Sequence, residues 1–113
     1  MNRAGARAED LCADLLRRAG LRILARNWRC RHGEIDLVAD DGGTLVFAEV
    51  RLRRNDRFGG AAESVTRAKR ARLLAAARLY LAGRKEPICR FDVLLLEGAE
   101  QPSIEWIRDA FGD

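Results

Sequence analysis

Acidic side chains interrupt two apolar segments joined by a glycine pair, "GEIDLVADDGGTLVFAEVR" at 33–51, a pattern typical of a β-hairpin. Side chains two positions apart in a strand share a face, so Glu34 projects with Asp36. By the same rule, Glu49 projects with Arg51. A two-residue turn at the glycine pair places Asp36 opposite Glu49, and a four-residue turn shifts the partners by one diagonal. In either register, we expect the Cβ atoms of Asp36 and Glu49 to lie about 4.5–8 Å apart.

The electrostatics of this carboxylate pair favour a cation between the two acids. Like charges at such a separation destabilise a sheet unless a positive charge lies between them or one acid is protonated. Mg²⁺ or Mn²⁺ would fit, because carboxylate, water and phosphate oxygens are ligands of Mg²⁺, and the carbonyl of Val50 is a further candidate ligand. The alternative is a ladder of salt bridges without a metal. In that ladder, Arg51 pairs with Glu34, and Arg53 offsets the charge of Glu49.

The cysteine and histidine content excludes several other chemistries. Cys12, Cys30 and Cys89 are odd in number and far apart, which suits neither a disulfide framework nor a closed zinc site. His32 is the only histidine, and no second pair of ligands completes a zinc site with it. No Ser or Cys lies in a nucleophile-elbow pattern, so acyl-transfer chemistry is not expected. Any catalysis must therefore come from carboxylates, cations or a metal.

The positive charge of the chain is concentrated in one segment. The whole chain carries a net charge of +4, whereas segment 51–72 holds eight cations and two acids, a local net charge of +6 that leaves −2 for the remainder. GC-rich coding would explain the abundance of arginine, but not its clustering. Such a basic segment predicts a polyanionic partner, above all nucleic acid. The candidate phosphate-binding residues are Arg53, Arg54, Arg57, Arg67, Lys69, Arg70 and Arg72.

The first half of the chain predicts one helix and three strands. Apolar residues at helical spacing indicate a helix over 6–19, which Gly20 ends as a C-terminal cap. Branched and aromatic residues indicate a strand over 21–30, and the opening hairpin supplies strands at 34–40 and 44–52. The paired acids therefore lie on strands rather than in loops.

The second half predicts a loop, a helix and two strands. Residues 53–63 contain a glycine pair and no periodicity, which is typical of a mobile loop. A helix capped by Ser64 or Thr66 runs to about Ala82, and its first turns are strongly basic. The nearly all-apolar segment 88–96 predicts a strand buried on both faces, and "SIEWIRD" predicts a short final strand.

Together these elements predict an α/β fold, a single domain over 1–113 with a mixed central sheet flanked by helices. The length permits one core. No apolar run approaches the roughly 18 residues of a membrane span, and acids lie where a signal peptide would be apolar. We expect a soluble, cytoplasmic protein with no membrane partner.

Three other conspicuous side chains are assigned structural roles. Asp92 interrupts the apolar strand over 88–96, and we expect it to hydrogen-bond a loop or a helix end. Trp28 and Trp106 offer rings for stacking on bases, but in so small a domain we expect both to anchor the core.

Five segments of the sequence resemble the YraN-like family of bacterial proteins. They are the first helix, "ARNWRCRHGEIDLVA", "LVFAEVR", "RFGGAAESVTRAKRARL" and "RFDV", and the pattern spans about 7–96. That family is similar in fold to the restriction-endonuclease-like nucleases, which include archaeal Holliday junction resolvases. The resemblance implies a restriction-endonuclease-like core, a metal-dependent nuclease acting on structured DNA, Mg²⁺ or Mn²⁺ as cofactor, and a homodimer.

The same resemblance implies a role for each matching residue. Asp36 matches the first metal carboxylate of the nuclease signature and Glu49 the second. Glu9 matches a helix-borne acid that joins the metal site, although an ordinary acid at the edge of the helix's apolar stripe is an equal reading. Arg51 occupies the place of the signature's catalytic lysine. Arginine supplies positive charge but cannot lose a proton, and Lys69 is a candidate substitute.

Three functions follow from these residues. The first is a metal-dependent endonuclease in which Arg51 stabilises charge at the phosphate. The second is a DNA-binding module left slow or inert because Arg51 replaces lysine. The third is a domain whose basic face binds an acidic protein.

Overall fold

Two helices and five strands form the structure, a computed structural model that describes residues 3–53, 65–85, 88–98 and 101–112, the side chains of 3, 4 and 53 excepted. The order of helix, three strands, helix and two strands is the predicted one. No helix in these ranges is long and apolar enough to span a bilayer. The elements are α1 (Arg3–Arg18), β1 (Arg22–Cys30), β2 (Gly33–Asp41), β3 (Thr44–Arg53), α2 (Arg67–Leu81), β4 (Cys89–Glu97) and β5 (Ser103–Phe111).

The strands form one mixed sheet in the order β1-β2-β3-β4-β5. Strands β3 and β4 run parallel, and every other neighbouring pair runs antiparallel. A parallel pair needs a crossover connection, and α2 lies in the segment that joins β3 to β4. The predicted mixed α/β sheet is confirmed.

The two helices cover opposite faces of this sheet. Cys12 of α1 packs with Ala48 of β3 in one cluster of buried residues, the α1 core. Tyr80 of α2 packs with Phe47 in a second cluster, the α2 core. Neighbouring strand residues point to opposite faces, so the helices sandwich the sheet. Residues Phe91–Leu96 of β4 are all buried, which confirms the strand predicted to be covered on both sides.

A two-residue glycine turn joins β2 to β3. Asp41 pairs with Thr44, and Gly42 and Gly43 have φ values of 59° and 101°. These left-handed conformations are the ones that such a turn requires. Of the two registers that the sequence allows, this is the one that places Asp36 nearest to Glu49.

The regular alternation of β2 breaks at Asp36. Leu37 packs in the α1 core, whereas Ile35, two positions earlier, packs in the α2 core. On the adjacent strand, Asn27 faces this part of β2 and has a φ of 51°. The ladder between β2 and β3 ends at the pair Leu37–Ala48. The backbone is therefore irregular where the candidate acids lie.

The three side chains assigned structural roles are built into the fold. Asp92 is fully buried, and its carboxylate accepts hydrogen bonds from Trp106 Nε1 and from the backbone N–H of Asp109, each at 2.9 Å. Arg90 Nε, on β4 itself, also donates to Asp92 Oδ1 at 3.1 Å. The partners of Asp92 therefore lie on β4 and β5 rather than on the expected loop or helix end. Trp28 packs against the α2 core and Trp106 against the α1 core, so both are core anchors as predicted.

Strand β5 is longer than the predicted "SIEWIRD". Asp109 has a φ of 53°, which interrupts the ladder with β4 between Phe91 and Val93. The strand resumes beyond this irregularity, and Phe111 pairs with Phe91, their rings stacked at 5.3 Å between centroids. Local sequence pattern could not reveal this extension, because it depends on contacts with β4.

Candidate active site

Asp36 and Glu49 meet where β2 and β3 separate. Their carboxyl groups hydrogen-bond each other, as the hairpin register predicts. The backbone N–H of Val50 donates to Asp36 Oδ2 at 2.9 Å. The Asp36 carboxylate thus accepts the hydrogen bond that a backbone carbonyl would accept in a regular ladder. This bond orients the Asp36 side chain toward β3.

Burial and neighbouring charge favour the protonated form of Asp36. Burial raises the pKa of Asp36 to about 7, and the charges of Glu49 and Glu34 act in the same direction. The hydrogen bond from Val50 opposes them, because it favours the ionised form. Protonation is one way in which adjacent carboxylates relieve their repulsion, and a nearby positive charge is the other.

Lys69 supplies the positive charge next to the pair. Its Nζ lies 2.9 Å from Glu49 Oε1, and the Glu49 side chain is only 7% exposed. The lysine lies in the first turn of α2, whose N-cap Thr66 accepts a hydrogen bond from the Lys69 backbone N–H at 3.2 Å. A helix packed on the sheet therefore delivers this ammonium group to the hairpin.

The alternative of a Glu34 to Arg51 salt bridge is wrong. Glu34 Oε2 lies 3.3 Å from Nε of Arg29, on the neighbouring strand β1. Arg51 does not line the cavity that contains the acids, and its buried Nε has no hydrogen-bond partner within the described ranges. The cation beside Glu49 is Lys69, and the proposed partner Arg53 has its side chain outside the described residues.

The acids lie in an open cavity of about 550 Å³ between the β1–β2 turn and α2. Sequence reasoning missed two of its residues, Arg31 and His32. The signal that could have found them is their place in the turn that leads into β2, four or five positions before Asp36. The cavity is lined by Arg31, His32, Gly33, Glu34, Asp36, Glu49, Val50, Lys69, Arg72 and Leu73.

Glu9 is buried beside the site but is held by other partners. Its Oε1 accepts hydrogen bonds from Arg26 Nε at 2.7 Å and Asn27 Nδ2 at 3.0 Å, and it does not line the cavity. Burial is the main cause that raises the pKa of the Cys12 thiol to about 12, and the negative charges of Asp36 and Glu9 act in the same direction. No group of three or more His, Cys, Asp and Glu placed to hold a metal occurs in the described part of the chain.

The basic residues of α2 take different positions. Lys69 and Arg72 line the cavity, whereas Arg67 is exposed. Arg70 donates from Nε to the carbonyl of Val65 at 3.0 Å and lies over the Phe111 ring, so it ties the helix start to the fold. Arg54 and Arg57 fall outside the described residues.

Comparison with known proteins identifies relatives across nearly the whole chain. The model of "Uncharacterised protein family UPF0102" matches residues 8–96. UPF0102 protein NE0719 of Nitrosomonas europaea is 50% identical over 110 residues, covering 96% of this chain and 93% of the relative. UPF0102 protein RSc3265 of Ralstonia nicotianae is 54% identical over 114 residues, covering 96% and 85%.

Proposed function

We propose that this chain, which belongs to the uncharacterised protein family UPF0102, is a metal-dependent nuclease-like domain that binds structured DNA and hydrolyses its phosphodiester bonds. The observation that carries the proposal is the hydrogen-bonded pair of Asp36 and Glu49 in a cavity walled by cations. Acids and cations together suit a phosphate held beside a divalent ion.

The donor set fits a divalent cation. Asp36 and Glu49 offer hard carboxylate oxygens, and the closeness of the two acids raises the pKa of Asp36, so a cation between them would be favourable. We assign both carboxylates as ligands, with the carbonyl of Val50 as a third donor. When bound, Mg²⁺ or Mn²⁺ supplies the Lewis acidity that activates water and offsets phosphate charge.

The remaining site residues have electrostatic and orienting roles. The Val50 N–H holds Asp36 in place. Lys69, already at the cavity, offsets the charge of Glu49 and is our candidate to stabilise the negative charge that develops on the phosphate during attack. In hydrolysis, an oxygen–phosphorus bond forms to water, and one bridging phosphorus–oxygen bond breaks. The attacking water loses a proton to solvent, and the leaving oxygen takes one from solvent.

Arg51 is assigned a supporting role in this scheme. An arginine cannot accept a proton at any accessible pH, and Arg51 does not line the cavity. The function that the signature gives to lysine is therefore assigned to Lys69. Glu9 is assigned to hold Arg26 and Asn27 beside the site rather than to bind the cation.

Cleavage of a panel of branched and linear DNA with Mg²⁺ or Mn²⁺ tests the proposal. Asp36→Asn removes the charge while keeping an oxygen that can accept from Val50, so we expect it to abolish turnover without unfolding the chain. Asp14→Asn, which changes an exposed acid of α1, is the control and should cleave like the wild type. Equal turnover by the wild type and Asp36→Asn would contradict the assignment.

A second candidate is a DNA-binding module that does not cleave. It is favoured by the Lys69 to Glu49 ion pair, which already neutralises one of the two ligands. In that case, the wild type binds DNA and Mn²⁺ but turns over nothing. Cleavage of any DNA in the panel by the wild type with Mn²⁺ would argue against this candidate, because the Lys69 to Glu49 ion pair would then not prevent turnover.

A further inference from the structure

Two arginines at the cavity have no partner that explains them. Arg31 lies in the β1–β2 turn and Arg72 in α2. Both line the cavity, and neither forms an ion pair or a hydrogen bond with another side chain within the described ranges. By contrast, Lys69 is paired with Glu49, and Arg29 with Glu34. Glu49 and Glu34 thus have cationic partners other than Arg31 and Arg72.

The two arginines approach the acids from different elements. The turn that carries Arg31 leads along β2 to Asp36, and Asp36 contacts Glu49 on β3. Glu49 in turn contacts Lys69, one turn of helix before Arg72. The carboxylate pair therefore lies between the turn and the helix, and each arginine marks one side of the cavity.

From this arrangement, and resting on the proposed function, we propose that Arg31 and Arg72 bind the two backbone phosphates that flank the one held at the carboxylates. Guanidinium groups bind phosphate oxygens through two parallel hydrogen bonds. A strand that enters past the turn and leaves past α2 satisfies both arginines at once. The cavity thus takes an internal stretch of a polynucleotide. A terminal phosphate lacks one of the two flanking charges, and a mononucleotide lacks both.

Salt-dependent DNA binding by the uncleaving Asp36→Asn protein tests this inference. Adding Arg31→Gln or Arg72→Gln should weaken binding about tenfold, and each should lower the slope of log affinity against log salt by about 0.7–0.9, the value of one phosphate contact. The matched controls are Arg22→Gln, at the far end of β1, and Arg78→Gln, two turns along α2. A loss no greater than in these controls overturns the inference.

Neutral methylphosphonate linkages assign the arginines to individual phosphates. Placed on one side of the scissile phosphate, such a linkage should weaken binding by Asp36→Asn protein but add no further loss to Arg31→Gln. On the other side, it should add none to Arg72→Gln. Equal sensitivity of both variants at both positions overturns the inference and leaves the proposed function standing, since wild-type cleavage of unmodified DNA is measured separately.

Discussion

At the scale of single residues, Asp36 is placed where the proposed chemistry needs a carboxylate but where folding disfavours its ionised form. Its side chain is aimed at Glu49 by a hydrogen bond from Val50, although burial and the Glu49 charge both oppose its ionisation. Such an arrangement costs stability unless a proton or a cation compensates for it. Groups whose pKa is strongly displaced in a cleft are candidates for function on that physical ground.

Asp36→Asn should change how stability depends on pH. Because the folded pKa of Asp36, about 7, lies above its ordinary value of 3.8, the folded chain keeps a proton that the unfolded chain has lost. The free energy of unfolding should therefore fall as pH rises between about 4 and 7. Urea unfolding across this range should show a shallower fall for Asp36→Asn than for wild type. Asp14→Asn is the control, and identical slopes for wild type and Asp36→Asn contradict the prediction.

Lys69→Met should destabilise the chain by leaving Glu49 buried without its cation. We expect a loss of about 1–2 kcal/mol, kept small because the Lys69 side chain is 35% exposed. Lys69→Arg keeps the charge and should lose much less. Saturating Mn²⁺ should reduce the loss in Lys69→Met, since the metal replaces the missing positive charge. Thermal unfolding with and without Mn²⁺ measures this effect. If Mn²⁺ leaves the stability loss of Lys69→Met unchanged, the ion does not bind beside Glu49.

At the scale of elements, the hairpin was predictable and the helix contact was not. The glycine pair and the alternation of β2 and β3 suffice to bring Asp36 to Glu49, because both are local properties of the chain. Lys69 reaches Glu49 only after α2 packs on the sheet, and no periodicity encodes that pairing. Sequence reasoning could therefore offer Lys69 only as a candidate substitute for the signature's lysine, and it could not place the side chain at Glu49.

Asp92 shows the same limit for a buried polar residue. Its place in an apolar strand predicted a structural hydrogen bond, but the partner could not be read from the sequence. One partner, Arg90, lies two residues earlier on the same strand. The other two, Trp106 and Asp109, depend on the irregular pairing of β4 with β5. A polar residue within an apolar strand predicts a buried group that forms hydrogen bonds. Only the tertiary structure shows which residues are its hydrogen-bond partners.

Thr66→Ala should loosen the helix turn that presents Lys69. The mutation removes the acceptor for the Lys69 N–H, and loss of an N-cap typically costs about 1 kcal/mol. We expect unfolding free energy to drop by that amount, and hydrogen exchange to accelerate first at the start of α2. Thr66→Ser keeps the oxygen and is the control. Unchanged exchange in the first turn of α2 would show that packing alone holds Lys69 at Glu49.

At the scale of the whole molecule, the layers followed from the sequence but the strand order did not. A β4 segment that is apolar on both faces requires a cover on each side. Helix α1 covers one face. On the other face, α2 covers Phe91, while Val65, just before α2, packs with Val93 and Leu95. The position of β4 beside β3 depends on the crossover through α2, which the sequence pattern leaves open. That order places β3, which carries Glu49, at the centre of the sheet and within reach of α2.

The dimensions of the molecule set a limit on the DNA that one chain can contact. Its longest extent is 41 Å, and duplex DNA rises about 3.4 Å per base pair, so one chain spans at most about 12 base pairs. Affinity of the Asp36→Asn protein for duplexes of about 8, 12, 16 and 24 base pairs, at fixed salt, should level off near 12, with one chain per duplex by sedimentation. Affinity that keeps rising to about 24 base pairs, with two chains that bind together and no complex containing one chain, would instead indicate that a homodimer is the binding unit. The length at which the curve flattens thus distinguishes a single domain on a strand from a pair acting on two strands.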